Sequence, residues 1–282
     1  MFDNGLIKYY QQGFSSNGEL CLKRFTRCQH LFKDGVLKMF ITPTNIYYSK
    51  TGQSHERDAE ILLSQIYKRA GLDSAIYTPA VDTKGNKVVL SNNVAFTGVV
   101  AQQYFQKLQT QNQGFPWGFT SEDMPFSTLP NFATKQGARD FIKMTLFDVG
   151  SANFDRTNGN YIIKTSQDGK IDGICLYDYG ASGISSKALT SSLSGFYENE
   201  MTYPNLFNDY ERLTRPQMIE ELKTNEGVLQ YIKPTEMAEM LGQVNVGEVA
   251  QDINNQIGYW VDQEYVDFIS SSFENVAQQL IK

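Results

Sequence analysis

Residues 153–180 read NFDRTNGNYIIKTSQDGKIDGICLYDYG and contain the segment that decides the fold. Two short apolar runs flank the Asp-Gly dipeptide at 168–169, which is a strong hairpin signal because glycine tolerates a positive φ in a tight turn. The ends of an antiparallel hairpin that are far from the turn lie side by side. The sequence therefore predicts that Asn160 and Asp178 meet at the open end of a hairpin, with Asp155 one short loop away.

These three side chains carry the oxygen atoms that suit a hard divalent cation and a hydroxyl-bearing substrate. An Asp, an Asn five positions later, and an Asp-aromatic-Gly sequence after a hairpin form the set used in phosphoryl transfer. Each motif alone is also typical of an ordinary turn, since Asp-rich turns are common. Their combination in one hairpin register favours the functional interpretation.

Residues 148–182 resemble the HipA-like kinases, particularly the smaller CtkA-like branch, and more distantly the phosphoinositide kinases. The resemblance is carried by Asp148, Asn153, Phe154, Asp155, Arg156, Asn158, Gly159, Asn160, Tyr177, Asp178, Tyr179 and Gly180. It implies that Asp155 is the catalytic base and that Asn160 and Asp178 are magnesium ligands. It further implies that Asp148, late in the preceding helix, braces the catalytic loop.

The stretch departs from the family pattern at two places. Thr157 stands where the family usually has His, and Cys175-Leu176 stand where it usually has Ala-Pro. The Ala-Pro-Glu segment of conventional protein kinases is not visible, as expected for this branch.

The N-terminal part carries a lysine and a glutamate that fit the same resemblance. Residues 36–41 follow an Asp-Gly turn and read as a strand, and residues 54–70 read as a helix. The resemblance implies that Lys38 binds the nucleotide phosphates and that Glu60 pairs with it, so that both belong to the catalytic set. Lys23 is a rival for the lysine role. From the residues alone, Lys38 and Glu60 are explained nearly as well as ordinary solvated charges.

Two further segments are candidates for nucleotide contacts. A Gly- and Ser-rich loop offers backbone amides to phosphate oxygens, although such loops are mostly just turns. Its candidate residues are Gly13, Ser15, Ser16, Asn17 and Gly18. A predicted hairpin over 75–90 leads into Ser91, Asn92 and Asn93, where a hinge between two lobes fits. The backbone near Leu90 and Asn92 is then available to an adenine edge.

The rest of the chain predicts a mostly helical C-terminal part. Residues 136–149 are apolar on most sides, which is typical of a central helix. Further helical patterns are predicted at 215–222, 235–241 and 261–281. Residues 101–136 show little periodicity. The predicted fold class is α+β, a bilobal protein-kinase-like fold with a small β-rich N-lobe over 1–92 and a larger helical C-lobe over 93–282.

Composition excludes several other classes of protein. The 282 residues include 25 basic and 31 acidic side chains, for a net charge of −6. This argues against nucleic acid as the main partner, because binding to a phosphate backbone needs a basic surface. No apolar run approaches the roughly 20 residues of a membrane helix, and no signal pattern opens the chain. We therefore expect neither a nucleic-acid nor a membrane partner.

The cysteines give no sign of a metal site or a disulfide framework. Cys21, Cys28 and Cys175 are odd in number and lack metal-ligand spacing with His30 or His55. Reduced thiols fit a cytoplasmic location.

The resemblance implies transfer of phosphate to a Ser or Thr hydroxyl of a protein, with ATP and Mg²⁺ as cofactors. A cognate antitoxin is a further partner that it suggests. A lipid or small-molecule kinase is an alternative, because the same loop serves those enzymes. A pseudokinase that binds nucleotide or a partner without transfer is another, and the joint presence of Lys38, Glu60, Asp155, Asn160 and Asp178 argues against it.

Overall fold

The computed structural model describes a large part of the chain. The described residues are 6–7, 10–14, 20–24, 28–34, 37–41, 46–51, 54–81, 87–92, 94, 97–110, 129–180, 182, 202–204 and 212–282. For the strands before Lys50, the description covers the backbone alone.

An eight-stranded sheet forms the N-terminal part of the described chain. Its strands are β1 (Leu6–Ile7), β2 (Tyr10–Phe14), β3 (Leu20–Arg24), β4 (Cys28–Asp34), β5 (Leu37–Ile41), β6 (Ile46–Thr51), β8 (Tyr77–Val81) and β9 (Lys87–Asn92). Strand β7 (Asp73–Ser74) belongs to a second sheet, which is described below. Across the eight-stranded sheet the order is β1-β4-β5-β6-β9-β8-β3-β2. The pairs are antiparallel except β3 with β8. Strands β6 and β9 lie at the centre of the sheet.

Helix α1 (Ser54–Arg69) follows the central strand β6 and covers the sheet. Its apolar residues recur at helical spacing and are fully buried, as Ala59, Leu62 and Ile66 show. Basic residues in its last turn complement the helix dipole, and Gly71 follows with φ of +78°. Contacts with β8, β9 and the helix at Val246–Ile257 place α1 between the sheet and the C-terminal part.

A second sheet carries the hairpin that the sequence predicts. Its order is β10 (Val99–Val100), β11 (Tyr161–Thr165), β12 (Ile171–Leu176) and then β7. Tyr161 pairs with Leu176 across the β11–β12 hairpin, and Gly169 in its turn has φ of +83°. Strand β7 runs parallel to β12, so the segment directly after α1 is tied to the hairpin.

Helices form most of the remaining described structure. They are α2 (Ala101–Thr110), α3 (Leu129–Phe132), α4 (Lys135–Gly150), α5 (Arg215–Thr224), α6 (Glu226–Leu229), α7 (Pro234–Gly242), α8 (Val246–Ile257) and α9 (Gln263–Ile281). The short ribbon of β13 (Thr202–Pro204) and β14 (Arg212–Thr214) precedes α5.

Helix α4 is the central helix of the C-terminal part, as its apolar pattern predicts. Thr134 caps its first turn by accepting a hydrogen bond from the Gly137 amide at 3.2 Å. At its other end, a Cβ on Gly150 would lie 2.8 Å from the Phe273 ring. Glycine at this position therefore permits the close approach of α4 and α9, and α4 delivers its last turn to the loop that follows.

The α+β architecture is confirmed, with a β-rich N-terminal part and a helical C-terminal part. The predicted strand at 36–41 and helix at 54–70 are also confirmed as β5 and α1. Strand β6 and helices α2 and α8 were not predicted from the sequence. The boundary between lobes at residue 92 stays a prediction, although the eight-stranded sheet ends at Asn92. None of the helices in the described ranges has the length and apolar character needed to span a membrane.

Candidate active site

The loop from Ser151 to Asn160 connects α4 to β11 and carries the predicted catalytic residues. Its start is bent sharply, because Ala152 has φ of +52°. The Asn153 amide then donates to the carbonyl of Asp148 at 2.8 Å. The loop is therefore fastened to the last turn of α4 before it reaches Asp155.

Asp148 binds three side chains from two other segments. Its Oδ1 accepts hydrogen bonds at 2.7 Å from the hydroxyl of Tyr67 on α1 and from Nδ2 of Asn153. Its Oδ2 accepts from Nε of Arg156 at 3.1 Å. The bracing role implied by the resemblance has this geometric basis: one buried carboxylate joins α1, α4 and the loop.

Arg156 extends this network to the hairpin. Its Nη1 donates to the carbonyls of Asn160 at 2.8 Å and Tyr177 at 2.5 Å, and its guanidinium lies 5.0 Å from the centre of the Tyr179 ring. Although burial opposes its charge, the Asp148 carboxylate raises the pKa of Arg156 above its ordinary value. Arg156 therefore stays charged inside the protein and fixes the loop to both strand ends.

Asp155 is exposed, in contrast to its buried neighbours. Its own carbonyl accepts a hydrogen bond from Nδ2 of Asn160 at 2.6 Å, which orients the Asn160 side chain with its oxygen as the remaining acceptor. Partial burial and the nearby Asp178 raise the pKa of Asp155, while Arg156 and Arg212 act in the opposite direction. Arg212, on β14, donates to the Phe154 carbonyl at 2.6 Å.

Asp178 follows β12 and has φ of +59°. Its amide donates to the Tyr77 hydroxyl at 2.9 Å, and its Oδ1 lies 2.5 Å from Nζ of Lys50. Although burial opposes ionisation, Lys50 holds the pKa of the Asp178 carboxyl below its ordinary value. The carbonyl of Asn160 accepts a hydrogen bond at 3.3 Å from the amide of Tyr177, the residue before Asp178. The hairpin thus brings Asn160 and Asp178 to the same end, as predicted.

Lys50 also pairs with Glu60, with 2.9 Å between Nζ and Oε1. The Glu60 side chain is 1% exposed, and its Oε2 accepts from the Tyr179 amide at 2.9 Å. Burial raises the pKa of Glu60 to about 7 against the opposing effect of Lys50. Burial likewise opposes the charge of Lys50, but the two carboxylates raise its pKa above the ordinary value. We refer to Lys50, Glu60 and Asp178 as the ionic triad.

Gly180 leaves the space in which the triad forms. A Cβ at this position would lie 3.1 Å from Nζ of Lys50 and 3.3 Å from Oε1 of Glu60. Both distances are shorter than ordinary van der Waals contact, so a larger residue would displace the charged groups. The presence of glycine as the last residue of the Asp-Tyr-Gly sequence therefore has a steric explanation.

The expected pairing of Lys38 with Glu60 is corrected by the structure, which gives that ion pair to Lys50. The register explains the difference. Lys38 pairs with Ser49 between β5 and β6, and directly opposed residues belong to the same face, whereas successive residues alternate. Positions 38 and 50 therefore belong to opposite faces of the sheet. A usable signal existed: Lys50 lies on the strand that immediately precedes α1.

The remaining nucleotide-site predictions are tested only in part. Leu90 pairs with Ser49 and Thr78 within the sheet. The side chain of Asn92 accepts from the Ile76 amide at 2.8 Å, so its oxygen has a structural partner. Their roles at an adenine edge stay predictions.

The predicted phosphate loop falls largely outside the described residues. Gly13 pairs with Cys21 in the β2–β3 hairpin, and Lys23 lies on β3. Ser15, Ser16, Asn17, Gly18 and Asn93, which was predicted to lie at a hinge, are not among the described residues. Their contacts with nucleotide stay predictions.

The donor set at the hairpin end suits magnesium better than a transition metal. Asn160 and Asp178 offer oxygen atoms, and the described residues contain no group of three or more His, Cys, Asp or Glu side chains that could hold a metal by themselves. Magnesium is commonly bound by one or two protein oxygens together with phosphates and water. The residues present therefore fit a metal that arrives with a phosphate-bearing substrate.

Comparison with solved structures assigns the fold to the kinase-like class of bilobal α+β proteins. The chain is similar to the proinflammatory kinase CtkA of Helicobacter pylori, with a TM-score of 0.59 and 14% identity, over 89% of this chain and 92% of that one. The fold expected from the sequence resemblance is thereby confirmed.

Two other solved structures match more weakly. HipA from the HipA–HipB toxin–antitoxin system of Shewanella oneidensis MR-1 has a TM-score of 0.45 and 13% identity, over 88% of this chain and 65% of that one. A GDP complex of an aminoglycoside 2′-phosphotransferase has a TM-score of 0.30 and 12% identity, over 89% and 90%. No protein-family profile and no curated protein sequence matches the chain.

The network around Arg156 predicts a large effect of a mild substitution. Arg156→Lys retains the charge but loses the planar fork that serves Asp148 and two carbonyls together. We expect the free energy of unfolding to fall by about 2–4 kcal/mol, because buried partners lose their hydrogen bonds. Urea titration measures it. Arg69→Lys, in an exposed pair with Asp252, is the matched control and should cost less than about 1 kcal/mol. Equal losses of unfolding free energy in the two variants would contradict the role of Arg156 in fixing the loop.

Proposed function

We propose that this protein is an ATP- and Mg²⁺-dependent phosphotransferase that modifies Ser or Thr hydroxyls of a protein. The observation that supports this most strongly is the position of the ionic triad beside the loop that carries Asp155 and Asn160. Side chains from a sheet strand, a helix, a hairpin end and a loop converge there. The set contains a base, a phosphate-binding cation and metal-binding oxygens, which are the parts that phosphoryl transfer requires.

Asp155 is proposed as the catalytic base. It is exposed, so an acceptor hydroxyl can reach its carboxylate, while the loop that carries it is fixed by Asp148 and Arg156. The carboxylate would orient the hydroxyl and accept its proton as the oxygen attacks the γ-phosphate. The rigid loop supplies the positioning on which such transfer mainly depends.

Lys50 is proposed as the residue that binds the nucleotide phosphates, in place of Lys38. Its ammonium is kept charged by the two carboxylates of the triad. Glu60 is buried and is itself fixed by the Tyr179 amide, so it can anchor Lys50 while the ammonium contacts a phosphate oxygen. A phosphate-binding lysine acts as a point charge whose position decides its effect.

Asn160 and Asp178 would hold the magnesium ion. A bound Mg²⁺ neutralises charge that develops on the phosphate oxygens. Asn160 is oriented for this task by its bond to the Asp155 carbonyl. Asp178 stays ionised because Lys50 lowers its pKa, and an ionised carboxylate is the ligand that a hard cation prefers.

The acceptor and the partners rest on the sequence resemblance. It favours a protein substrate with a Ser or Thr hydroxyl and suggests a cognate antitoxin, whereas the cytoplasmic location is a prediction from the cysteines. The test is transfer of labelled γ-phosphate from ATP to proteins of a cell lysate, with lipid extracts and small-molecule fractions incubated in parallel. Label in the lipid or small-molecule fraction alone would support the alternative acceptors, and nucleotide binding without any transfer would support a pseudokinase.

Substitution of Asp155 tests the base. Asp155→Asn retains the shape of the exposed side chain but cannot accept the proton, so kcat should fall by about 10²–10⁴. Thermal unfolding and nucleotide affinity should stay close to those of the wild-type protein. Asp172→Asn, at the exposed second residue of β12, is the matched control and should keep full activity. Normal turnover by Asp155→Asn would remove the central assignment.

Substitution of the lysines separates Lys50 from the two sequence-based candidates. Lys50→Met should reduce turnover by about 10²-fold or more, since it removes a charge placed on the phosphates. Lys38→Met and Lys23→Met should each retain turnover within about threefold. The assay is initial rate at saturating ATP, with circular dichroism as the check on folding. Loss of activity in Lys38→Met with an active Lys50→Met would restore the original assignment and contradict the register of β5 and β6.

Substitution of the oxygen ligands tests the metal site. Asp178→Ala should weaken Mg²⁺-dependent ATP binding more than Asn160→Ala, because only the former removes a full negative charge from the cation. Calorimetric titration of ATP with and without Mg²⁺ measures both effects. ATP binding that is independent of Mg²⁺ and unchanged in both variants would refute the metal assignment.

A further inference from the structure

Helix α1 is attached to the C-terminal helices through a buried hydrogen bond. Asp58 is 4% exposed, and its Oδ1 accepts from the hydroxyl of Tyr259 at 2.6 Å. Its Oδ2 accepts from the amide of Asp262 at 3.3 Å. Tyr259 and Asp262 lie in the short connection between α8 and α9, and Asp262 also caps α9. This connection therefore contacts the helix that carries Glu60.

A second contact joins the other end of α1 to α8. Arg69, the last residue of α1, pairs with Asp252 and lies 3.9 Å from Glu248. This pair is solvent-exposed, so it contributes little energy on its own. Asp58 and Arg69 are eleven positions apart, which corresponds to about three helical turns. The helix is thus bound near both ends, and the buried contact is the stronger of the two.

Asp58 and Glu60 point to different sides of α1. Two positions along an α-helix correspond to a rotation of about 200°, so Asp58 contacts the α8–α9 connection while Glu60 reaches Lys50 and the Tyr179 amide. Rotation of α1, or its movement away from the C-terminal part, would separate both sets of partners together. The positions of Tyr259 and of the ionic triad are therefore coupled through a single rigid helix.

We propose that Tyr259 is a positioning residue for phosphoryl transfer, which acts through Asp58 to keep α1 in the orientation that pairs Glu60 with Lys50. This proposal rests on the proposed function, because the orientation of Lys50 affects turnover only if Lys50 contacts the phosphates. The Tyr259 hydroxyl bonds to Asp58, whereas Lys50 bonds to Glu60, so Tyr259 would act on the lysine through the helix. The Tyr259 hydroxyl can donate to the buried Asp58 carboxylate only while α1 is packed against the α8–α9 connection.

The test is a double-mutant cycle between Tyr259 and Glu60. Tyr259→Phe keeps the ring but removes the donor, so a buried acceptor loses its partner. We expect kcat to fall about tenfold, which corresponds to about 1.4 kcal/mol, with little change in the KM of the acceptor. In the Glu60→Gln background, where the anchor is already impaired, the same substitution should lower kcat by less than about twofold. Tyr231→Phe, on the α6–α7 connection, is the matched control and should match wild type.

Additivity in the cycle would overturn the proposal. A tenfold loss in both backgrounds would mean that Tyr259 serves general stability, and no loss in either would mean that the contact is dispensable. Asp58→Asn is the second variant if Tyr259→Phe folds poorly. It keeps one acceptor oxygen for Tyr259 but loses the acceptor for the Asp262 amide, so it should show a smaller loss with the same non-additivity.

Amide hydrogen exchange separates this proposal from the proposed function. If the wild-type protein transfers no phosphate, the kinase assignment fails and kinetics say nothing about Tyr259. Exchange at residues 58–63 should still be faster in Tyr259→Phe than in wild type and in Tyr231→Phe, because docking of α1 is weakened. Unchanged exchange at these amides, with or without turnover, would refute the role of Tyr259 in holding α1.

Discussion

The buried ion pair of Asp148 and Arg156 is the interaction on which the rest of the site depends. Removing two charges from water is expensive, and the attraction between them compensates only when the remaining donors and acceptors are satisfied. Here Asp148 also accepts from Tyr67 and Asn153, and Arg156 also donates to two carbonyls. A network satisfied to this extent allows one arrangement of the loop. Asp155 is therefore exposed on a loop whose conformation is fixed by the buried contacts of Asp148 and Arg156.

Tyr179 connects the catalytic loop and the hairpin of the C-terminal part to α1. Its ring lies 5.1 Å from that of Tyr67 and 6.1 Å from that of Tyr77, between centroids, and its hydroxyl is 2.7 Å from Oγ of Ser74. Its amide binds the buried carboxylate of Glu60. The residue after Asp178 thus fixes the partner of Lys50, so the segment proposed to bind metal and the lysine proposed to bind phosphate are not independent. A shift in either one changes the other through Glu60.

The parts of the site that the sequence predicted are those whose residues lie close along the chain. The hairpin of β11 and β12 follows from two apolar runs and an Asp-Gly turn, so the positions of Asn160 and Asp178 could be deduced without a template. The lysine could not be assigned in this way. Lys38 and Lys50 both lie on strands, and successive residues of a strand belong to opposite faces of the sheet. The Asp34-Gly35 dipeptide predicts a strand at 36–41 but does not fix which of its faces meets α1, and the nearness of β6 to that helix was the only available guide. Helix α8 could have been predicted, because Val246, Val249 and Ile253 recur at helical spacing after the Asn245 cap.

Backbone strain in the described part of the chain is concentrated at the two bends that form the site. Ala152 and Asp178 are the non-glycine residues there with positive φ, a conformation that costs of order 1 kcal/mol or more for a residue with a Cβ. Such a bend persists only where neighbouring contacts determine it. The Asn153 amide bond to Asp148 follows the first bend, and Tyr77 and Lys50 hold Asp178 at the second. Ala gives no local signal for this conformation and Asp only a weak one, because it is imposed by residues from distant segments. The same contacts that make these bends unpredictable from local sequence are the ones that hold Asp178 beside Lys50 and fasten the loop that carries Asp155 to α4.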